Sequence, residues 1–337
     1  MEDVARVAGV SRALVSLVMR GQPNVSDARR RRVLETAAEL GYRPNAMARS
    51  LASRRTKTVG LILDDLANPF FAEIAGSVEE FASRLGYQLL LATAGRHERR
   101  ERSALATLLE YRVEGIILVS PRMPSARIAL AASEVPLVAI GRSVRNADAD
   151  FVLTDERRGT ELVLDHLVGL GHERIVHVDG GRGPGGPQRR SGYLRGMQAR
   201  RLVRHALVIA GDFTEAAGTR AAQSLLAEPE LPTAVFAAND LTAAGILSEF
   251  DRAGVEVPDD VSLMGYDNIS IAHLGHISLT TIDQPRVQMA REALDLLLDR
   301  IDNRRPNVVR VLEPSLVVRS TTAAPPAVPR ALSAPAA

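Results

Sequence analysis

From Val59 to Gly265 the sequence alternates between two kinds of stretch, and this alternation limits the fold more than any other feature. Short apolar runs at 59–63, 88–92, 115–119, 137–140, 174–178, 206–210, 234–238 and 261–265 read as buried strands. Amphipathic runs at 71–85, 102–111, 159–170, 190–199, 216–227 and 241–253 lie between them and carry helical spacing. Strands that alternate with helices pair in parallel and take helices on both faces of the sheet. The series is too long for one sheet, so two doubly wound α/β lobes are expected, breaking near 154–158. Such sheets bind ligands beyond the carboxyl ends of their strands. A cleft between the lobes is therefore the expected pocket.

The 337 residues, 46% hydrophobic, leave room for two or three domains with real cores. There is no cysteine, which excludes disulfides and thiolate metal sites and fits a reducing cytosol. The first apolar run is broken by Arg6, Arg12 and Arg20, so no cleavable leader is expected. No run is long and apolar enough to span a membrane, and a cytoplasmic protein is expected.

Charge is divided unevenly along the chain. Up to Thr58 there are 12 Lys/Arg against 5 Asp/Glu, a net of +7, within a chain whose total is +2. A small basic head on an acidic body is the electrostatic footprint of a nucleic-acid binder, although a solvated basic surface or a disordered basic arm carries the same charge. The pattern inside the head decides between them. Val4, Val7 and Ala8 have helical spacing, and Gly9 can end that helix. Ser11 is suited to cap a second helix from about Arg12 to Met19, with Leu14, Val15, Val18 and Met19 as its buried side. Two short helices around a tight turn read as helix-turn-helix, whose second helix enters the major groove with its first residues, Ser11, Arg12 and Ala13, facing base edges. Arg12 can donate two hydrogen bonds to guanine O6 and N7. After the loop 21–24, Ser26 is placed to cap a third helix. Val33, Leu34, Ala37, Ala38 and Leu40 are expected on its buried side, and Arg29 to Arg32 at its opening are expected to reach phosphates. Asn45 caps a segment, 46–52, too short to be a stable helix alone. It can form against DNA, with Leu51 wedged between base steps in the minor groove.

The stretches Asp3-Val-Ala-Arg-Val-Ala-Gly-Val-Ser11, Asn24-Val-Ser26, Gly41-Tyr-Arg-Pro-Asn45 and Ala48-Arg-Ser-Leu51 resemble the DNA-binding head of the lactose-repressor (LacI/GalR) family. The resemblance continues through Asn68-Pro-Phe-Phe71, Arg112-Val-Glu-Gly115, Gly169-Leu-Gly-His172, Gly211-Asp-Phe213, Ala237-Ala-Asn-Asp240, Gly265-Tyr-Asp-Asn268 and 279–285, to about Thr322. It implies a homodimer on double-stranded DNA with a palindromic operator, and paired hinge helices in the minor groove with Leu51 as the wedge. Ser11, Arg12, Ala13, Ser16, Asn24, Ser26, Arg30, Asn45, Ala48 and Leu51 are the DNA-binding candidates. It also implies a periplasmic-binding-protein-like body of type I, with three crossovers between lobes. The expected organisation is a head over 1–45, a hinge over 46–58 and an effector and dimerisation domain over 59–322. Within it, lobe 1 covers about 59–155 and 286–312, and lobe 2 about 156–284 and 313–322. An Ala/Pro-rich tail, 323–337, is expected to be disordered. Two departures stand out. The family carries a few more residues ahead of Asp3, and it often has an arginine where this chain has Leu17, a side chain that cannot hydrogen-bond a base.

The effector candidates by the same resemblance are Phe70, Phe71, Arg189, Phe213, Asn239 and Asp267, with Gln284, Asp64 and Arg96 as weaker ones. Asp267 can accept two hydroxyl protons while Arg189 and Asn239 donate, which favours a sugar, though relatives also bind purines and nucleosides. For each polar residue a helix cap is the plain alternative, and for each phenylalanine, core packing. The glycine-rich loop 179–186 follows a strand, yet Pro184 and Pro187 interrupt it and no Gly-Lys-Ser/Thr follows, so an effector loop or turn is favoured over a nucleotide site. His273 and His276 lack a nearby third ligand, so no metal or cofactor is expected. No nucleophile, base and oxyanion-donor set is evident, so an enzyme is not expected. The expectation is a transcriptional repressor whose operator affinity is set allosterically by a small molecule. The alternative is a solute-binding protein of a transport system, or another sensor that does not bind DNA.

Overall fold

The computed structural model describes residues 1–19, 21–42, 55–303, 306–328 and 330–331, in two compact units, 1–57 and 58–337. The hinge candidates Asn45, Ala48 and Leu51 lie outside the described residues.

The first unit contains three helices, α1 (Glu2–Ala8), α2 (Arg12–Met19) and α3 (Asp27–Glu39). Gly9 adopts φ 63°, a left-handed conformation that glycine reaches without steric cost, and lets the Val10 N–H return to Ala5 O at 3.0 Å. Ser11 Oγ accepts from the Leu14 N–H at 3.2 Å and so caps α2. Val4, Ala5, Ala8, Val15, Val18, Val25, Val33 and Ala37 make the core. The buried side of α3 is narrower than its sequence suggests. Leu34, Ala38 and Leu40 are exposed, and Thr36 is buried instead. A helix covered along one stripe by two short neighbours buries a single narrow face, and the bulk of an apolar side chain does not widen it.

The second unit is a pair of parallel sheets. Lobe 1 is six-stranded in the order β11-β5-β4-β3-β1-β2. Its strands are β1 (Thr58–Leu63), β2 (Gln88–Thr93), β3 (Gly115–Val119), β4 (Leu137–Ile140), β5 (Asp150–Thr154) and β11 (Val309–Leu312). Lobe 2 is four-stranded, β7-β6-β8-β9, from β6 (Ile175–Val178), β7 (Leu207–Ile209), β8 (Ala234–Ala237) and β9 (Ser262–Met264). An antiparallel ribbon of β10 (Thr281–Asp283) and β12 (Ser315–Val317) adjoins lobe 2 through bridges at Met264–Thr280 and Asp267–Asp283. The helices relevant to the site are α4 (Pro69–Arg84), α5 (Glu98–Glu110), α6 (Ser125–Glu134), α7 (Glu156–Gly169), α8 (Gly186–Ala199), α9 (Glu215–Leu226), α10 (Asp240–Arg252) and α11 (Arg286–Ile301).

Sequence periodicity alone did not supply β5, α6, β10, α11, β11 and β12. β5 opens on Asp150, which is fully buried and accepts from the Val308 N–H at 2.7 Å, so the polar residue hides a true strand. The chain passes between the lobes after β5, after β10 and after β11. The Ala/Pro-rich composition predicts a disordered tail, yet its described part is seated on lobe 2. The Ala323 N–H donates to Ser262 Oγ at 3.0 Å, and Arg330 Nη1 donates to Gly254 O at 2.8 Å. Its backbone polar groups find fixed partners that its composition does not reveal.

Candidate functional site

The exposed opening of α2 presents Ser11, Arg12 and Ala13. Arg12 Nη1 pairs with Glu2 Oε1 at 3.2 Å, both side chains mostly in solvent. Such a pair contributes roughly 0–1 kcal/mol and yields readily to a base or phosphate. Ser16 and Leu17 are half-buried, and Leu17 packs on the head core. Asn24 and Ser26 are exposed. Ser26 holds the N-cap position of α3 but makes no side-chain cap bond. Arg30 Nη2 donates to Gln22 O, so it props the loop that leads into α3.

In each lobe the first strand lies between its second and third, β2-β1-β3 in one and β7-β6-β8 in the other. This reversal opens a crevice at the carboxyl ends of the strands. The two crevices meet in a cavity of about 290 Å³. Small-molecule pockets run from about 300 Å³ upward, so this one suits a compact ligand. Phe70, Phe71, Arg189, Phe213, Asn239, Asp267, Gln284, Asp64 and Arg96 all line it. Four non-glycine residues on its wall, Arg96, Ser120, Phe213 and Asp267, have φ between 53° and 112°. Backbone held in so sparsely populated a region concentrates at ligand sites, where the surrounding fold enforces it.

Asp267 is buried, with Oδ1 accepting from Gln284 Nε2 at 2.6 Å and lying 3.7 Å from Arg189 Nη1. Burial pushes its carboxyl up to about 6, opposed by Arg189, Gln284 and Arg286. Arg189 is gripped on every side. It donates to Glu156 Oε2 at 2.8 Å and Oε1 at 3.1 Å and to Ala238 O at 2.6 Å, and its guanidinium stacks 3.6 Å from the Tyr266 ring centroid. Burial works against its charge, but Glu156, Tyr266 and Asp267 outweigh it and the pKa rises. Asn239 does serve as a cap. Its Oδ1 accepts from the Thr242 N–H at 2.9 Å, and its Nδ2 donates to Phe213 O at 3.2 Å. Asp267 does not cap the turn after it, because the Ile269 N–H goes to Asp240 Oδ2 at 2.8 Å.

Phe213 closes the cavity over the glycine-rich loop. A Cβ at Gly180 would sit 2.1 Å from Phe213 Cζ, so glycine is the residue that fits beneath this ring. Phe70 and Phe71 stand in the first turn of α4, whose Asn68 cap accepts from the Phe70 N–H at 3.0 Å. They meet edge to face at 5.3 Å and belong to the lobe 1 core as well as to the cavity wall. Sequence reasoning missed Arg122 and Glu156. Arg122 binds Asp64 with two bonds, 2.6 and 2.8 Å, and Glu156 holds Arg189. Both follow strand ends, at β3 and β5, and β5 went unread. Asp240, buried beneath the site, is pushed up to about 8 by burial and then by Asp267, while Thr281 Oγ1 donates to it at 2.6 Å. Nothing in this arrangement forms an activated nucleophile, and it is suited to holding a ligand.

Residues 1–45 match the family described as "Bacterial regulatory proteins, lacI family", and residues 164–322 match "Periplasmic binding protein-like domain". The HTH-type transcriptional repressor PurR of Photobacterium profundum is 34% identical over 326 residues, 95% of this chain and 98% of that protein. The chain belongs to the lacI family of bacterial regulatory proteins. As a member of that family it is a DNA-binding transcriptional regulator and not an enzyme. Two solved family structures resemble this one over nearly their whole length. The lac repressor dimer bound to operator and the anti-inducer ONPF is 28% identical with a TM-score of 0.85, covering 96% of this chain and 98% of that one. The transcriptional regulator CelR–cellobiose complex is 34% identical with a TM-score of 0.71, covering 95% and 98%. Among the described residues, no helix is long and apolar enough to cross a membrane.

Proposed function

We propose that this lacI-family regulator is a cytoplasmic homodimeric repressor whose operator affinity is set by a small polyhydroxylated effector in the cavity between its lobes. The observation that carries this reading is the cavity itself. The strand ends of both lobes bring the buried Asp267 carboxylate beside the Arg189 guanidinium, with Phe213 as an apolar lid. The second oxygen of Asp267 is available to a hydroxyl proton. One Asn239 amide hydrogen remains for a hydroxyl oxygen, and the phenylalanine faces suit the C–H face of a sugar ring. The CelR–cellobiose complex supports a sugar as the chemical class.

Ser11, Arg12, Ala13 and Ser16 read the major groove, while Asn24, Ser26 and Arg30 position the head on the backbone. Residues 46–58 act as the hinge, with Leu51 as the minor-groove wedge and Asn45 and Ala48 among the DNA-binding residues. Effector binding changes the relation of the lobes, and any ligand that binds the two arrangements with different affinity shifts the balance between DNA-bound and free protein. An electrophoretic shift with palindromic sites from the gene's own upstream region tests the reading. Specific binding that responds to a sugar supports it, and absence of specific binding at low salt, with or without sugars, overturns it.

A further inference from the structure

The effector cavity shares Arg96, Arg122, Gly141, Glu156, Pro184 and Gly185 with a wider recess of about 1190 Å³, and the charge of that recess is lopsided. Six arginines line it against three carboxylates. The arginines divide equally between the lobes. Arg96, Arg122 and Arg142 come from the loops after β2, β3 and β4, while Arg157, Arg182 and Arg195 come from α7, the glycine-rich loop and α8.

The three carboxylates are already engaged. Glu156 holds Arg189, Asp155 caps α7 by accepting from the Arg158 N–H at 2.9 Å, and Glu98 lies 3.7 Å from Arg102. On the cationic side, Arg96 is paired with Asp212, Arg122 with Asp64 and Arg157 with Glu161. Arg142, Arg182 and Arg195 form no ion pair among the described residues. Arg142 donates to Met123 O at 2.7 Å and its charge acts on the buried Glu101 carboxyl, whereas Arg195 donates only to the neutral Ser191 Oγ, so the uncompensated charge rests on Arg182 and Arg195. The lobes approach closely at this mouth, since a Cβ at Gly183 would lie 3.4 Å from Nη2 of Arg122.

We propose that the effector is anionic, a sugar or polyol carrying a phosphate group, with its hydroxyls in the inner cavity and its phosphate in this arginine-lined mouth. The inference rests on the effector reading given above. Planar guanidinium groups pair with phosphate oxygens through parallel hydrogen bonds, which suits this lining to a phosphate. The placement also supplies a coupling. Like charges facing each other from two lobes oppose closure, and a dianion between them turns repulsion into attraction. The phosphate therefore favours the arrangement that brings the lobes together.

The test uses the full-length protein and its Arg182→Gln/Arg195→Gln double variant, both side chains exposed and outside the core. Inorganic phosphate, titrated against chloride at equal ionic strength, stabilises the wild-type protein saturably in thermal melts, and the double variant needs about tenfold more phosphate. In calorimetry, hexose and pentose monophosphates bind the wild-type protein at least about tenfold tighter than the parent sugars. No phosphate-specific shift, an equal shift in the double variant, or a parent sugar that binds as tightly as its phosphate ester overturns the proposal. Operator binding is measured on the same preparations. Intact operator binding with a failed phosphate response removes this inference alone, whereas lost operator binding removes the regulator reading.

Discussion

Gln284 donates its Nε2 hydrogen to Asp267 Oδ1 at 2.6 Å. The other end of the same amide accepts from Thr154 Oγ1 at 2.7 Å, and Thr154 ends β5 of lobe 1. One buried side chain at a crossover thus links the carboxylate in lobe 2 to the opposite lobe. Replacing Gln284 by Ala strips a buried carboxylate of its donor and leaves a buried hydroxyl unpaired. A loss of about 1–3 kcal/mol in stability is expected from denaturant unfolding, with weakened effector binding. Gln284→Glu places a second acid against Asp267 and is expected to cost more at pH 8 than at pH 5.

The raised carboxyls predict a pH signature. Asp240 and Asp267 hold their protons more tightly in the fold than in the unfolded chain, with folded values of about 8 and about 6. The folded state binds more protons, so the stability these groups contribute is fully present below about pH 4 and is lost as pH rises to about 8 for Asp240 and about 6 for Asp267. Asp240→Asn removes one of these titrations. The melting temperature of the variant relative to the wild-type protein is expected to climb between pH 5 and pH 8, and a flat difference would refute the assignment.

Effector binding carries the opposite sign. A hydroxyl that donates to Asp267 needs the ionised carboxylate, so affinity is expected to drop as pH falls through about 6. Asp267→Asn is expected to lower affinity about tenfold to hundredfold at pH 7.5, equivalent to about 1.5–3 kcal/mol for a hydrogen bond to a charged group, and to abolish this pH dependence for an uncharged parent sugar, which has no phosphate of its own to titrate. Calorimetric titration at pH 5.5 and 7.5 measures both.

Gly218 on α9 and Gly245 on α10 allow two helices to touch backbone to backbone. A Cβ at Gly218 would meet Thr242 O at 2.0 Å, and one at Gly245 would meet Glu215 O at 2.0 Å. Neither carbonyl can move without its helix. Gly218→Ala is expected to destabilise lobe 2 by about 1–3 kcal/mol or more in urea unfolding.

In the head, Arg12→Ala is expected to weaken operator binding by about 1–3 kcal/mol and to relax preference at one base pair per half-site. Its partner Glu2 is exposed, so the melting temperature is expected to stay within error of the wild-type value. Leu17→Arg adds a donor to the half-buried side of α2. It is expected to change the preferred operator sequence in a binding-site selection, at some cost to head stability from the lost contact with its core.

Local chemistry wrote much of this protein into its sequence. Gly9 and Ser11 end one helix and begin the next through backbone geometry and a single side-chain bond, so the turn of the head is legible from neighbouring residues. The apolar runs of β1, β3, β4 and β8 declare buried parallel strands because those strands are covered on both faces. The effector candidates were legible through the family resemblance, and the fold brings them to one cavity. Distant partners decided the rest. β5 carries a short apolar run between polar ends, and Asp150 finds its place only through the Val308 N–H, while Asn239 caps α10 and at the same time reaches Phe213 O on the cavity wall. Arg122 and Glu156 gain their place from Asp64 and Arg189, 58 and 33 positions away. A sequence specifies contacts between near neighbours directly. Pairings across two lobes, and the shared mouth where six arginines gather, exist only once both sheets are folded and their strand ends face each other.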